Sequence, residues 1–86
     1  MLHLDIITSE SCGCCHEFIK TVDSVKQGFE LEYEEVPMSK YPQKEIKGLP
    51  YTIIYKDGKE VGDILGCVRM DILISELQKY VNIKEI

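Results

Sequence analysis

Apolar and polar positions along this chain switch between two periods, and the switches mark out its elements. Leu2 to Thr8 is mostly apolar and predicts a strand. Adjacent Ile6 and Ile7 imply that both faces of this strand are covered, as in a central parallel strand. Ser9-Glu10-Ser11 makes a polar turn. Cys15, Phe18, Ile19, Val22 and Val25 then recur at helical spacing, with Glu17, Lys20, Thr21 and Ser24 on the wet side and Gly28 as a C-cap. Phe29 to Glu34 alternates with period two, a half-buried strand. Its row Glu30, Glu32 and Glu34 fits a solvated face that blunts a sheet edge better than a surface for a basic partner. Pro37 to Lys47 is polar, and a short helix from about Lys40 to Ile46, ending at Gly48, fits it. Tyr51 to Tyr55 is rich in β-formers, Asp57-Gly58 is a hairpin turn signal, and Glu60 to Leu65 pairs back. Gly66 ends that strand. Met70, Leu73, Ile74, Leu77, Tyr80 and Val81 form a last amphipathic helix, and Asn82 to Ile86 reads as a frayed tail. The order βαβαββα predicts an α/β fold. Its strands are parallel around the first helix and antiparallel in the last pair, giving a four-stranded mixed sheet with helices on both faces.

Composition narrows the class. The 86 residues give room for one domain, 1–86, with a small core. A net charge of -5, from 10 Lys+Arg against 15 Asp+Glu, leaves no basic patch for nucleic acid. No apolar run is long enough to span a membrane. Met1-Leu2-His3-Leu4-Asp5 lacks the basic and apolar regions of a signal peptide. Four cysteines without an export signal point to chemistry rather than to a stapled scaffold. The expected compartment is cytoplasmic and reducing.

That chemistry centres on Ser11-Cys12-Gly13-Cys14-Cys15-His16. Cys12 and Cys15 are spaced C-x-x-C where the first strand gives way to the first helix. Unpaired N–H groups and the positive end of the helix dipole favour an anion there, and the thiolate is the form of cysteine that attacks disulfides. The position is expected to lower the pKa of Cys12. One cysteine can attack a substrate and the other release it. Because Cys15 lies on the apolar stripe and Cys12 a turn earlier, the pattern places Cys12 exposed and Cys15 hidden. Other readings share these residues. Cys12, Cys15 and Cys67, with Cys14 or His16, could supply four zinc ligands, although the usual second ligand cluster is absent. Cys12 to His16 also matches the C-x-x-C-H signal for c-type haem. Four inert core cysteines are the plain alternative.

A second constellation is Gly48-Leu49-Pro50 before the third strand. Proline is tolerated at a strand start, and spacing alone leaves its isomer open. An unpaired Leu49 backbone at a strand tip could meet an extended peptide. Ser11-Cys12-Gly13-Cys14-Cys15, Gly48 to Gly58, and Gly66 before the last helix together resemble the thioredoxin/glutaredoxin family of small redoxins, and span nearly the whole chain. The resemblance implies a thioredoxin-like fold and a protein-disulfide oxidoreductase. It implies that Cys12 attacks, that Cys15 resolves, and that Pro50 is cis beside them. It implies a substrate surface of Ser11, Gly13, Cys14, Leu49, Pro50, Gly66 and Cys67, with no metal. No cofactor is expected to be bound, and electrons would come from a thioredoxin reductase or glutathione. The implied partner is a disulfide-bearing protein, with the chain itself a monomer.

The sequence also departs from the family pattern. Ser11 stands where thioredoxins have Trp, and Gly13-Cys14 replaces the Pro-Tyr of glutaredoxin motifs. Ile6 occupies the place of the buried thioredoxin carboxylate, with Asp5 one position off and facing the other way. Only Gly66 and, loosely, Asp71 remain of the glutathione signature. His16 and the segment Gly66 to Asp71 are similar to small redoxins that reduce ribonucleotide reductase.

Two cysteines remain. Cys14 lies off the apolar stripe and is expected to be at least partly exposed. Cys67 reads either as a small apolar filler or, with Cys14, as an auxiliary thiol that can exchange with a Cys12–Cys15 disulfide. Neighbouring Cα atoms are about 3.8 Å apart, short of the roughly 4.4–6.8 Å of a relaxed bridge, which disfavours Cys14–Cys15. Cys12–Cys15 is therefore the expected oxidised pair, with Cys14 and Cys67 left as free thiols.

Overall fold

A computed structural model describes residues 2–80. The chain runs β1 (Leu2–Ile7), α1 (Cys15–Lys26), β2 (Leu31–Val36), a 3-10 turn (Met38–Lys40), β3 (Tyr51–Lys56), β4 (Lys59–Leu65) and α2 (Met70–Gln78). The sheet order is β2-β1-β3-β4, with β1 parallel to β2 and antiparallel to β3, and β3 antiparallel to β4. β1 is therefore an inner strand, and Leu4, Ile6 and Ile7 are fully buried on its two faces.

Alternation along the strands sorts the core into two parts. Leu2, Leu4, Ile6, Leu31, Ile54 and Ile64 face α1 and α2, where Phe18, Val22, Val25, Leu73 and Leu77 close over them. Ile7, Val36 and Ile53 point the other way and form a much smaller cluster with Tyr41, Ile46 and Leu49. Both α-helices thus lie on one face, and the segment 37–50 covers the other.

The short helix expected over Lys40–Ile46 does not form. Only Met38–Lys40 is helical, as a 3-10 turn. Tyr41 precedes Pro42, whose ring disfavours the α conformation of the residue before it, and Tyr41 sits at φ -126°, ψ 65°. A single further turn bond, Lys44 N–H to the Tyr41 carbonyl at 3.2 Å, is made. Seven residues are also too few to hold a helix without packing on a stripe. The second strand begins two residues later than its alternation suggests, because the Phe29 N–H donates to the Lys26 carbonyl and keeps Phe29 in the turn after α1. α2 ends at Gln78, short of the predicted stripe; its last predicted position, Val81, and the tail 82–86 lie outside the described residues.

The hairpin between β3 and β4 turns on Asp57 (φ 54°) and Gly58 (φ 84°). Two consecutive left-handed residues match the right-handed twist of the strands they join. The pairing slips between Ile54 and Tyr55, which leaves Val61 as the extra residue of β4. β2 and β4 are the edges. Glu32, Glu34 and Glu35 of β2 are exposed. No helix among the described residues is long and apolar enough to cross a membrane.

Candidate active site

The site is made where β1 stops. Thr8 to Gly13 carries the chain from β1 over the top of α1, with the Cys12 N–H donating to the Ser9 carbonyl at 3.2 Å. Cys14 is the N-cap of α1, and its carbonyl accepts the first helical bond, from Phe18 N–H at 3.0 Å. No side chain caps this helix start. Cys15 is the first helical residue, 4% exposed, on the stripe with Phe18 and Val22. Cys12 is half-buried, so the two thiols are graded in access in the order the stripe predicts. They are joined as a disulfide with Cα atoms 5.6 Å apart.

The other two cysteines are not free. Cys14 and Cys67 form a second disulfide across 53 residues, with Cα atoms 6.4 Å apart. Both residues are exposed, so Cys67 is no apolar filler. The expectation of two free thiols fails because the loop between β4 and α2 passes directly over the N-cap of α1. Cys67 Sγ lies 3.0 Å from the Cys14 carbonyl oxygen. The spacing of Cys14 and Cys67 along the chain carries no trace of this meeting; the even number of cysteines was the one sequence signal for a second bridge.

Leu49-Pro50 is a cis peptide. Pro50 is buried, and its carbonyl accepts from the Gly66 N–H at 2.8 Å. Gly66 is held at φ 96°, where a side chain would be strained. Leu49 packs into the small cluster of Ile7, Val36 and Ile53. The structure thus brings the motif, the cis-proline loop and the Gly66-Cys67 loop to one end of the sheet. Gly13 and Ser11 are exposed on the motif turn, with nothing within 4 Å of the open side of Gly13 and Ser11 Oγ 3.2 Å from Ser9 Oγ. On the other flank of the motif, an open cleft of about 600 Å³ reaches Cys12 and Cys15 between Thr8-Ser9-Glu10 and Glu35-Val36-Pro37. The motif gave no hint of this acidic flank, because Glu10 and Glu35 come from separate elements.

Among the described residues Asp5 is the buried carboxylate, on the face away from the helices. It accepts from Lys40 Nζ at 3.0 Å, from His3 Nε2 at 2.7 Å and from the Tyr41 hydroxyl, which also lies 2.7 Å from the Tyr55 hydroxyl. Burial pushes its pKa up, but the hydrogen bonds from Tyr41, Lys40 and His3 outweigh burial and hold it below the usual aspartate value. Burial and the bond to Asp5 push the Tyr41 phenol well up, so it stays protonated. This network fixes the irregular segment that leads to Pro50.

The alternatives can be placed on the same geometry. The zinc reading through Cys12, Cys15 and Cys67 needs thiolates, and here all four sulfurs are paired with one another. The same pairing occupies both attachment points of the haem signal. Among the described residues, His3, Asp5 and Glu34 have metal-ligand proximity. Two of the three already face a cation, Lys40 Nζ, which lies 3.0 Å from Asp5 and 3.9 Å from Glu34.

A sheet of order β2-β1-β3-β4, a C-x-x-C disulfide at the β1–α1 turn and a cis-proline before β3 define the thioredoxin fold. The chain is a small thioredoxin-fold protein. Among solved structures it is similar to a single-site mutant of a thioredoxin from Halobacterium salinarum (TM-score 0.82, 16% identity), covering 95% of this chain and 76% of that one. It is also similar to thioredoxin f2 of Chlamydomonas reinhardtii (TM-score 0.77, 21% identity; 92% and 78% covered). Fasciola hepatica thioredoxin aligns with TM-score 0.74 and 22% identity over 93% of this chain and 81% of that one. No family profile and no curated protein matches the sequence.

Proposed function

We propose that the chain is a thiol–disulfide oxidoreductase that reduces protein disulfides through Cys12 and Cys15. The observation that carries this reading is the closed Cys12–Cys15 pair at an uncapped helix start, with Cys12 accessible and Cys15 buried. In the reduced chain, the free N–H groups of the first turn favour the Cys12 thiolate. That thiolate attacks one sulfur of the substrate disulfide, a mixed disulfide forms, and the other substrate sulfur leaves as a thiolate. Cys15, deprotonated, attacks Cys12 Sγ, and the second substrate thiolate leaves and takes up a proton. The substrate gains two electrons and two protons, and the chain is left with the bridge seen here. A dithiol reductase or two glutathione thiols reset it. Tyr51, whose hydroxyl donates to Asp63 and whose pKa is pushed up to about 12 by that bond, borders Pro50 and adds a neutral aromatic to this end.

Asp5, the buried carboxylate among the described residues, lies on the far face, so Cys15 loses its proton without help from it. The partner is read as an extended disulfide-bearing protein segment, with ribonucleotide reductase one case of it, and the chain as a cytoplasmic monomer that binds no cofactor.

The test is insulin disulfide reduction with wild type, Cys12→Ser and Cys15→Ser. Cys12→Ser should be inactive and form no adduct. Cys15→Ser should accumulate a covalent adduct with the substrate. Adducts on Cys12→Ser alone would reverse the roles, and full activity in Cys12→Ser would end the reading.

A further inference from the structure

The Cys14–Cys67 disulfide is the feature that the two-cysteine cycle leaves unused. We propose that it is a second redox couple and the inlet for electrons, passing them to Cys12–Cys15 by internal exchange. This rests on Cys12 and Cys15 being the substrate-reducing pair.

Access sets the direction. Cys14 and Cys67 are both exposed, whereas Cys12 is half-buried and Cys15 is 4% exposed. Attack on a disulfide depends on reaching a sulfur along the S–S axis. A donor thiolate therefore reaches the outer bridge first. Position supplies the link. Cys14 and Cys15 are neighbours in sequence, so the two bridges hang from adjacent residues. The transfer does not run directly between these neighbours, whose Cα atoms, about 3.8 Å apart, are too close for a relaxed bridge. It runs through Cys67, the one cysteine brought in from another loop. Cys67 Sγ lies 3.0 Å from the Cys14 carbonyl oxygen, to which the reduced thiol can donate.

The steps balance. A dithiol donor reduces Cys14–Cys67 by two exchanges and becomes a disulfide itself, leaving two thiols on the chain. The Cys67 thiolate attacks Cys12 Sγ, forming a Cys12–Cys67 disulfide and releasing the Cys15 thiolate. The Cys14 thiolate then attacks Cys67 Sγ, remaking Cys14–Cys67 and releasing the Cys12 thiolate. The two protons of the outer thiols end on the inner ones. Two electrons have moved inward, and the attacking Cys12 is ready for substrate.

The experiment uses the full oxidised chain and one equivalent of dithiothreitol as the dithiol donor. Samples are quenched over time with iodoacetamide and mapped by peptide mass. The alkyl label should sit first on Cys14 and Cys67 and move to Cys12 and Cys15 with no further reductant. In Cys12→Ser/Cys15→Ser, which has no inner bridge to receive electrons, the label should stay on the outer pair. A label that appears on Cys12 and Cys15 from the earliest time, or that never leaves its first pair in wild type, overturns the relay. Insulin reduction by the unalkylated proteins separates the two ideas. Activity retained in Cys12→Ser refutes the inner pair as the reducing site. Loss of activity in Cys12→Ser with an immobile label in wild type refutes the relay alone.

Discussion

Removing the outer bridge with Cys14→Ser/Cys67→Ser should expose how much of this small domain depends on it. In the chain-entropy account, a cross-link stabilises by restricting the unfolded chain, and its effect grows with the logarithm of the loop it closes. The Cys14–Cys67 bridge spans 53 residues, whereas Cys12–Cys15 spans 3. With the usual coefficients the outer bridge is worth about 4 kcal/mol at 25 °C and the inner one about 2 kcal/mol. For a domain of this size, 4 kcal/mol corresponds to a fall in Tm of about 15–30 °C. Urea unfolding under non-reducing conditions, followed by far-UV circular dichroism, reads the free energies, and a thermal melt reads the Tm. The oxidised double variant should lose about 4 kcal/mol against oxidised wild type, with a larger m-value because its unfolded state is less compact. Adding reductant to the double variant should then cost it about a further 2 kcal/mol. A difference below about 1 kcal/mol between the oxidised proteins, against the 4 kcal/mol expected, would refute the reasoning: either the bridge does not form or the unfolded chain already holds those loops together.

Two other perturbations test features away from the sulfurs. Asp5→Asn should cost about 2–3 kcal/mol, towards the low end for a broken buried pair because Lys40 is partly solvated. Since the folded pKa of Asp5 is depressed, its contribution is present above the unfolded value of about 3.9 and lost as pH falls through the lower folded value. Wild-type stability measured by urea melts should therefore drop below about pH 4, and the Asn variant should show a flatter profile there. Gly62→Ala should cost about 1–3 kcal/mol, because a Cβ at that point of β4 would run into the Tyr80 ring and hydroxyl. Tyr80→Ala in the same chain should recover part of the loss in a thermal melt.

Periodicity disclosed the framework because the strands and both α-helices are amphipathic or fully apolar, and their patterns map directly onto burial. Adjacent Ile6 and Ile7 read as two-sided and are. The stripe through Cys15, Phe18 and Val22 placed Cys15 inside, and Asp57-Gly58 fixed the hairpin. The segment 37–50 was illegible for a physical reason: its order comes from polar side chains converging on Asp5 from positions 3, 40 and 41, and such convergence has no period. For the site, the strand-to-helix thiols were visible locally. The outer bridge was not, because it depends on where the loop after β4 returns, a property of topology rather than of spacing.

The bare outer side of β2 carries a consequence for how copies of the chain meet. That strand ends the sheet at one side, and an unpaired strand edge is a template on which another strand can add. Glu32, Glu34 and Glu35 keep such an edge apart from its own copies by repulsion. Acid strong enough to protonate Asp5, whose pKa is lowered, loosens the segment packed over Ile7, Val36 and Ile53 beside that edge. Low pH therefore exposes an apolar face next to an unpaired strand edge, a combination that favours edge-to-edge association alongside acid unfolding.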